Sequence, residues 1–401
     1  MITIKTAESA LKNIYLDTVK NEINTKTNPF LTMIAERTKV IAEKDAKAYV
    51  RFGNEGSVSA GTEDGILPTN HDSRTAEISV PLKNLYGSFQ ITDKAIKAAQ
   101  NNPGAFTSLI GGEMKNLVAT AQNNLNKMVY GHGNPFIAYT TDHSATTLTI
   151  PAKFKNNFVA GMRIQAWSSA NVKLHDGFLT VTSVTQSGSD IQIVYTGALA
   201  AGNLDRVYIY PEVLSDVEMN GIDSIFMPGT MYNLDKGEYS DILPLERDEM
   251  ANVSSELYVI DEESIIEFFD NMEEHTMGRS TDIIMTHPIV RKALFENLKG
   301  ARTNIDVTEF AGGFRGFTFN GVPMYSDIRC KAGTVYALDT SGYAMQQLVD
   351  WTWLQGDDGN ILKPVSGKPV FSATLVKYAD LVCEKPFLQG KLTGFSATQW
   401  R

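Results

Sequence analysis

Residues Gly53 to Arg74 hold four glycines and one proline among few large apolar groups, so this stretch cannot pack on a core of its own. Strand-like runs flank it. Tyr49-Val50-Arg51-Phe52 leads in, and Glu77-Ile78-Ser79-Val80 with Tyr86-Gly87-Ser88-Phe89-Gln90-Ile91 leads back. Ala46 to Thr92 therefore reads as a long hairpin with a polar tip. A connection of this length is uncommon inside a compact domain and is generally functional or disordered. Such a chain either leaves the loop in solvent or lays it on a partner.

Beyond the hairpin, Asn102 as cap and Pro103 at the first helical position open a helix that closes at Gly131. Its apolar residues Phe106, Leu109, Ile110, Met114, Leu117, Val118, Ala121, Leu125, Met128 and Val129 fall on one face. At 1.5 Å per residue this is a rod of roughly 40 Å, long enough to act as the spine of a flat domain. Upstream, Leu11, Ile14, Tyr15, Val19 and Ile23 recur at helical spacing until Asn28-Pro29 breaks the helix, which gives an arm over residues 1–45.

Residues 134–212 form a β-rich block. Met162, Ile164 and Ala166, then Ile191, Ile193 and Tyr195, then Val207 and Ile209 alternate with polar or aromatic neighbours, and Gln186-Ser187-Gly188-Ser189-Asp190 makes a turn. Short strands with no confident helix imply a small β-barrel or sandwich inserted in a larger fold. Trp167, Tyr195, Tyr208 and Tyr210 could be imagined as a sugar-binding surface, although core or rim packing is the better reading. The remainder turns to mixed α and β. Helices are expected from Asp261 to His275 and from Pro288 to before Gly300. Strands are expected at Asp282 to Met285, around the Asn320-Gly321 turn, at Thr334 to Leu338, Ser372 to Tyr378 and Leu381 to Glu384.

At 401 residues with 43% hydrophobic and 20% charged, the chain can bury a proper core without disulfides or metals. Cys330 and Cys383 are far apart and lack companion ligands, which argues against both a disulfide framework and a zinc site. No signal peptide and no run of 18 apolar residues is present, so no membrane is expected. A net charge of −10 opposes a protein that grips phosphate, but suits a wall that must not stick to nucleic acid it encloses.

Chemistry is hard to place. His71, His132, His143, His175, His275 and His287 never pair at the i, i+4 spacing of a helical metal site. Gly312-Gly313-Phe314-Arg315-Gly316 falls short of a phosphate loop, Asp357-Asp358-Gly359-Asn360 lacks the terminal Glu of a calcium loop, and no Gly-x-Ser-x-Gly elbow occurs. No catalytic, cofactor-binding or metal-binding residue is expected.

The order of these segments resembles the major capsid proteins of tailed bacteriophages. Asn28-Pro29-Phe30-Leu31, Ala60-Gly61-Thr62-Glu63-Asp64-Gly65-Ile66-Leu67-Pro68 and Leu85-Tyr86-Gly87-Ser88-Phe89-Gln90-Ile91-Thr92 with Ala95-Ile96 are similar to that family's arm, extended loop and returning strand. Asn124-Leu125-Asn126 and Tyr130-Gly131-His132-Gly133 resemble the end of its spine helix. Ala201-Gly202-Asn203-Leu204-Asp205 and Met219-Asn220-Gly221-Ile222 resemble the exit from an insert. Met285-Thr286-His287-Pro288, Phe319-Asn320-Gly321-Val322-Pro323-Met324-Tyr325-Ser326-Asp327, Thr334-Val335-Tyr336-Ala337-Leu338-Asp339 and Asp358-Gly359-Asn360-Ile361-Leu362 resemble the domain at capsomer centres.

The resemblance implies an α+β subunit of the Hong Kong 97 type: N-terminal arm 1–45, extended loop 46–92, peripheral domain with spine helix 93–133, inserted β domain 134–212, axial domain 213–365 and C-terminal strands 366–401. It implies a non-enzymatic shell protein of the virion, assembled in the bacterial cytoplasm as hexamers and pentamers around double-stranded DNA, without sequence-specific binding. A portal protein is an implied partner. A separate scaffolding protein is expected too, since only about 45 residues precede the loop. Arg51, Glu63, Asp64 and Arg74 are the candidate inter-subunit contacts, with charge pairs fixing register more than supplying energy. Encapsulins share the fold but are shorter and typically lack the insert. A β-rich hydrolase or binding protein would need a convergent polar site.

Overall fold

The computed structural model describes residues 16–25, 27–52, 63, 74–99, 103–135, 137–144, 146–168, 173–175, 177–187, 190–197, 199, 207–211, 217–248, 262–279, 281–298, 307–309, 315–319, 321–331, 333–356 and 359–394. It forms two compact units, one of Met1–His132 with Met219–Arg401 and one of Gly133–Glu218. Leu11, Ile14, Tyr15, His71, the Ala201–Asp205 turn and the glycine pair of the 312–316 string lie outside the described residues.

In the larger unit the first described elements are helices α1 (Leu16–Thr25) and α2 (Pro29–Ile34) and a short strand β1 (Lys39–Val40). Pro29 sits at the start of α2, where a missing N–H costs nothing, and Asn28 caps it by accepting from the Phe30 amide at 2.8 Å. Strands β2 (Asp45–Phe52) and β3 (Arg74–Pro81) pair antiparallel over their whole length, from Asp45↔Pro81 to Phe52↔Arg74. Ala46, Ala48, Val50, Ala76, Ile78 and Val80 point inward to the core, while Tyr49 and Glu77 face out, as the two-residue period of a strand requires.

Strand β4 (Lys83–Thr92) does not continue that hairpin. It pairs instead with the far end of the chain, which the one-residue break at Leu82 allows. After helix α3 (Asp93–Ala99) comes the spine, α4 (Pro103–Val129). Met114, Leu117, Val118, Leu125 and Val129 line its buried side. Gly87 of β4 lets the spine approach, since a Cβ there would stand 3.0 Å from Leu117 Cδ1.

The second unit holds strands β5 (Ala138–Tyr139), β6 (Asp142–His143), β7 (Thr147–Pro151), β8 (Arg163–Ser168), β9 (Leu179–Ser187), β10 (Asp190–Thr196) and β11 (Val207–Pro211). They make one sheet in the order β5-β11-β8-β9-β10-β7-β6. Its core comes almost wholly from one face of that sheet, including Leu148, Ile150, Ile164, Val181, Ile191, Ile193 and Ile209. Among the described residues its ladder is open, with β5 at one edge and β6 at the other, not closed into a ring. Tyr195 is buried and donates to the Ser144 carbonyl at 2.7 Å, and Trp167 packs edge-on against Tyr210.

The chain leaves the larger unit after His132 and returns at Met219, and His132 and Asn220 form an antiparallel bridge. Then follow β12 (Thr230–Met231), β13 (Leu234–Asp235), β14 (Leu245–Asp248), α5 (Glu262–His275), β15 (Ile283–Thr286), α6 (Pro288–Leu298), β16 (Val307–Glu309), β17 (Arg315–Phe319), β18 (Val322–Ser326) and β19 (Val335–Leu338). The last strands are β20 (Tyr343–Trp353), β21 (Lys363–Pro364), β22 (Val370–Cys383) and β23 (Gly390–Thr393).

A mixed sheet in the order β14-β23-β19-β15-β18-β17-β16 is covered on both faces. Ile284, Met324, Val335 and Ala337 meet Phe268, Met272, Val290 and Leu294 of the helices. Ile283, Met285, Tyr336 and Leu338 face the main core, which is why β15 is buried at every position. The other sheet joins β1, β20, β22, β21 and β4. Val370 to Cys383 is one unbroken strand, where the sequence pattern had indicated two.

Candidate assembly interface

Burial anchors the hairpin to its own subunit at the root. Asn233 grips β3 on both sides of its outer edge, accepting from the Ser79 amide at 2.9 Å and donating to the Glu77 carbonyl at 3.0 Å. Gln346 of β20 donates to the Lys47 carbonyl at 3.2 Å. The ladder ends at Phe52↔Arg74, so everything between those residues belongs to the tip.

Arg51 and Arg74 both stand at the distal end of this ladder, Arg51 opposite Thr75 and Arg74 opposite Phe52. Glu63 lies in a turn and is exposed, and Asp64 lies outside the described residues. The ladder thus brings the two arginines to one end of the hairpin. On its outward face Tyr49 is 64% exposed beside Glu77, an aromatic surface that its own subunit does not cover.

Buried polar clusters fix the arm, the spine and the sheets relative to one another. Asn28 is fully buried and donates Nδ2 to Asn126 Oδ1 at 2.7 Å, Tyr130 Oη at 3.1 Å and Asp327 Oδ2 at 3.0 Å. Asp223, also fully buried, accepts from Lys331, from Lys391 at 3.0 Å and from the Tyr336 hydroxyl at 3.1 Å. Burial pushes its carboxyl up, but the charges of Lys331 and Lys391 outweigh that and hold it below the usual carboxylate range. Asp380 of β22 accepts from the Asn220 amide and side chain, both at 2.7 Å, and from the Leu381 amide at 2.9 Å. Burial raises its carboxyl to about 7 against these donors and Lys83.

None of these clusters was legible in the sequence, because isolated Asp and Asn residues carry no spacing signal. Nor do they form a reactive centre of the usual kinds. Among the described residues, no group of three His, Cys, Asp or Glu side chains could hold a metal ion. His287 is buried, which lowers its pKa, and its Nδ1 accepts from the Ile289 amide at the start of α6. Cys330 and Cys383 are buried too, and burial raises both thiols. The Asn360 carbonyl accepts from the Gly356 amide at 2.9 Å across a turn that includes Gly359 at φ +73°, and Asp357 and Asp358 lie outside the described residues. No described helix is long and apolar enough to cross a membrane.

A subunit in the capsid asymmetric unit of cyanophage A-1(L) superposes with a TM-score of 0.56 at 13% identity, covering 98% of this chain and 99% of that one. The chain has the fold of a phage capsid protein. With the fold goes its α+β class, over nearly the full length of both chains. Lower similarity is found to a subunit of the satellite phage P4 procapsid, with a TM-score of 0.46, 10% identity and coverage of 95% and 99%. The SrpI encapsulin of Synechococcus elongatus PCC 7942 gives 0.45, 9%, 94% and 90%. No family model and no curated protein matches the sequence.

Proposed function

We propose that this chain is the major capsid protein of a tailed double-stranded DNA bacteriophage, a non-enzymatic subunit that assembles with its own copies into hexamers and pentamers of an icosahedral shell. The observation that carries the reading is the cyanophage capsid superposition, which spans both chains almost end to end. In this reading residues 1–45 are the arm, 46–92 the extended loop, 93–133 the peripheral domain with its spine, 134–212 the insert, 213–365 the axial domain and 366–401 the returning strands.

Rotationally repeated heterologous contacts close into rings and then a shell, and many weak contacts sum to a stable whole. The hairpin supplies one such contact: its root is held by Asn233 and Gln346, and its distal end carries Arg51 and Arg74, with Glu63 exposed in the tip. We assign Arg51, Glu63, Asp64 and Arg74 to the neighbouring subunit's surface, where charge pairs set register. The acidic chain encloses DNA without gripping its sequence. A scaffolding protein, a portal protein and assembly in the host cytoplasm belong to the same reading.

Negative-stain electron microscopy of the protein expressed alone, and then with neighbouring phage genes, tests it. Closed shells or capsomer sheets in either sample support the reading. Uniform small particles in both overturn it.

A further inference from the structure

Between the arm helices, the spine and the long central strands lies a cavity of roughly 450 Å³, a size typical of small-molecule sites. It has an apolar part and a charged part. Leu31 and Ile34 of α2, Leu125 of the spine and Met345 of β20 supply the hydrocarbon. Lys20 and Asn24 of α1, Asp350 of β20 and Lys377 of β22 supply the polar groups. Strand β20 runs from one part to the other, with Met345, Gln347 and Asp350 following along the wall. A two-residue period alone would turn Asp350 away, and the register shift between Gln347 and Val349 returns it to this face.

Lys377 and Asp350 satisfy each other as an ion pair at 3.0 Å, while Asn24 donates to Asp350 Oδ1 at 3.2 Å and accepts from Lys377 at 3.2 Å. Lys20 stands one turn before Asn24 on α1, and its charge reaches Lys377. Among the side chains that line the cavity, two ammonium groups therefore face a single carboxylate, which suits one further negative charge. Gln347 is only 7% exposed, yet its Oε1 accepts no hydrogen bond. A buried acceptor in that state is costly and calls for a donor.

We propose that this cavity binds an N-acyl amino acid: one carboxylate, an amide N–H beside it and an aliphatic tail. The carboxylate meets Lys20, the N–H donates to Gln347 Oε1, and the tail lies along Met345, Leu31, Ile34 and Leu125. Charged, amide and apolar groups follow one another in the ligand in the order in which they follow along β20. A plain fatty acid brings no donor for Gln347, and a neutral acyl amide leaves the Lys20 charge unmatched. The bound molecule touches the arm, the spine and the central strands together, and so tightens the arm on its own subunit.

Isothermal titration calorimetry of the full-length protein with N-octanoylglycine tests this, beside octanoate and N-octanoyl-N-methylglycine, whose nitrogen carries no hydrogen. N-octanoylglycine should saturate at a single molecule per chain. The other two should bind about tenfold more weakly, the worth of one hydrogen bond in a buried site. Gln347→Leu should erase the difference between the N–H and N-methyl ligands, and Lys20→Met should weaken all three while keeping wild-type circular dichroism. Equal affinities of the N–H and N-methyl ligands for the wild-type protein would overturn the proposal without any variant having to fold. So would uptake that does not saturate, as a detergent gives.

Discussion

Asn28 Nδ2 stands 3.0 Å from Asp327 Oδ2, joining residues 299 positions apart in the chain. The same side chain caps α2 through its oxygen and reaches the spine through Asn126. One buried amide thus holds together the arm, the spine and the segment after β18.

Replacing Asn28 with alanine removes the cap and leaves buried partners without a donor. The expected loss is about 2–4 kcal/mol of subunit stability, combining a helix cap with unsatisfied buried groups. Urea denaturation of unassembled subunits measures it. Asn28→Asp keeps the cap but sets a second carboxylate against Asp327, and should be no better than alanine.

Two glycines should respond in opposite senses. A Cβ on Gly221 would stand 2.2 Å from the Met128 carbonyl and 2.4 Å from that of Val129, with backbone that cannot step aside. Its φ of −118° is open to alanine, so any effect is steric. Gly221→Ala should destabilise by about 3 kcal/mol, the upper end for overpacking. Gly112, exposed within the spine and with nothing within 4 Å, should gain up to about 1 kcal/mol as alanine. Thermal melts of the two variants give the comparison.

Asp380 makes stability depend on pH. Its carboxyl lies at about 7 when folded against an ordinary value of 3.8. A raised folded value means that the proton is held more tightly in the folded state. The stabilisation is fully present below pH 3.8, the unfolded value, and is lost as pH rises through about 7. Denaturation midpoints between about pH 4 and 8 should therefore carry a destabilising contribution with rising pH that Asp380→Asn abolishes. An unchanged slope in that variant would remove Asp380 as its source.

Deleting Gly61 to Asn70 removes the loop tip and none of the β2–β3 ladder, whose last pair is Phe52↔Arg74. The subunit should stay soluble with wild-type circular dichroism while forming no shells by electron microscopy. Normal particles from this deletion would refute the role given to the tip.

Local patterns carried the spine and the hairpin. Pro103 marks the start of α4, and alternation over Ala46–Val50 and Ala76–Val80 marks the two faces of the ladder. Period alone could not say that Lys83 to Thr92 pairs with residues 370–379, because strand partners remote in sequence leave no local trace. The Tyr343–Trp353 strand was missed for a related reason: its residues from Tyr343 to Gln347 are all buried, including two glutamines, so alternation is lost. The clusters around Asn28, Asp223 and Lys377 are tertiary by construction, assembled from residues of ordinary type at unrelated positions.

The mass of the protein in solution tests the shell-forming account most directly. Sedimentation velocity of the purified protein, alone and after co-expression with neighbouring phage genes, should reveal closed particles of megadalton mass in at least one sample. A protein that sediments in both as a monomer or small oligomer would contradict the account.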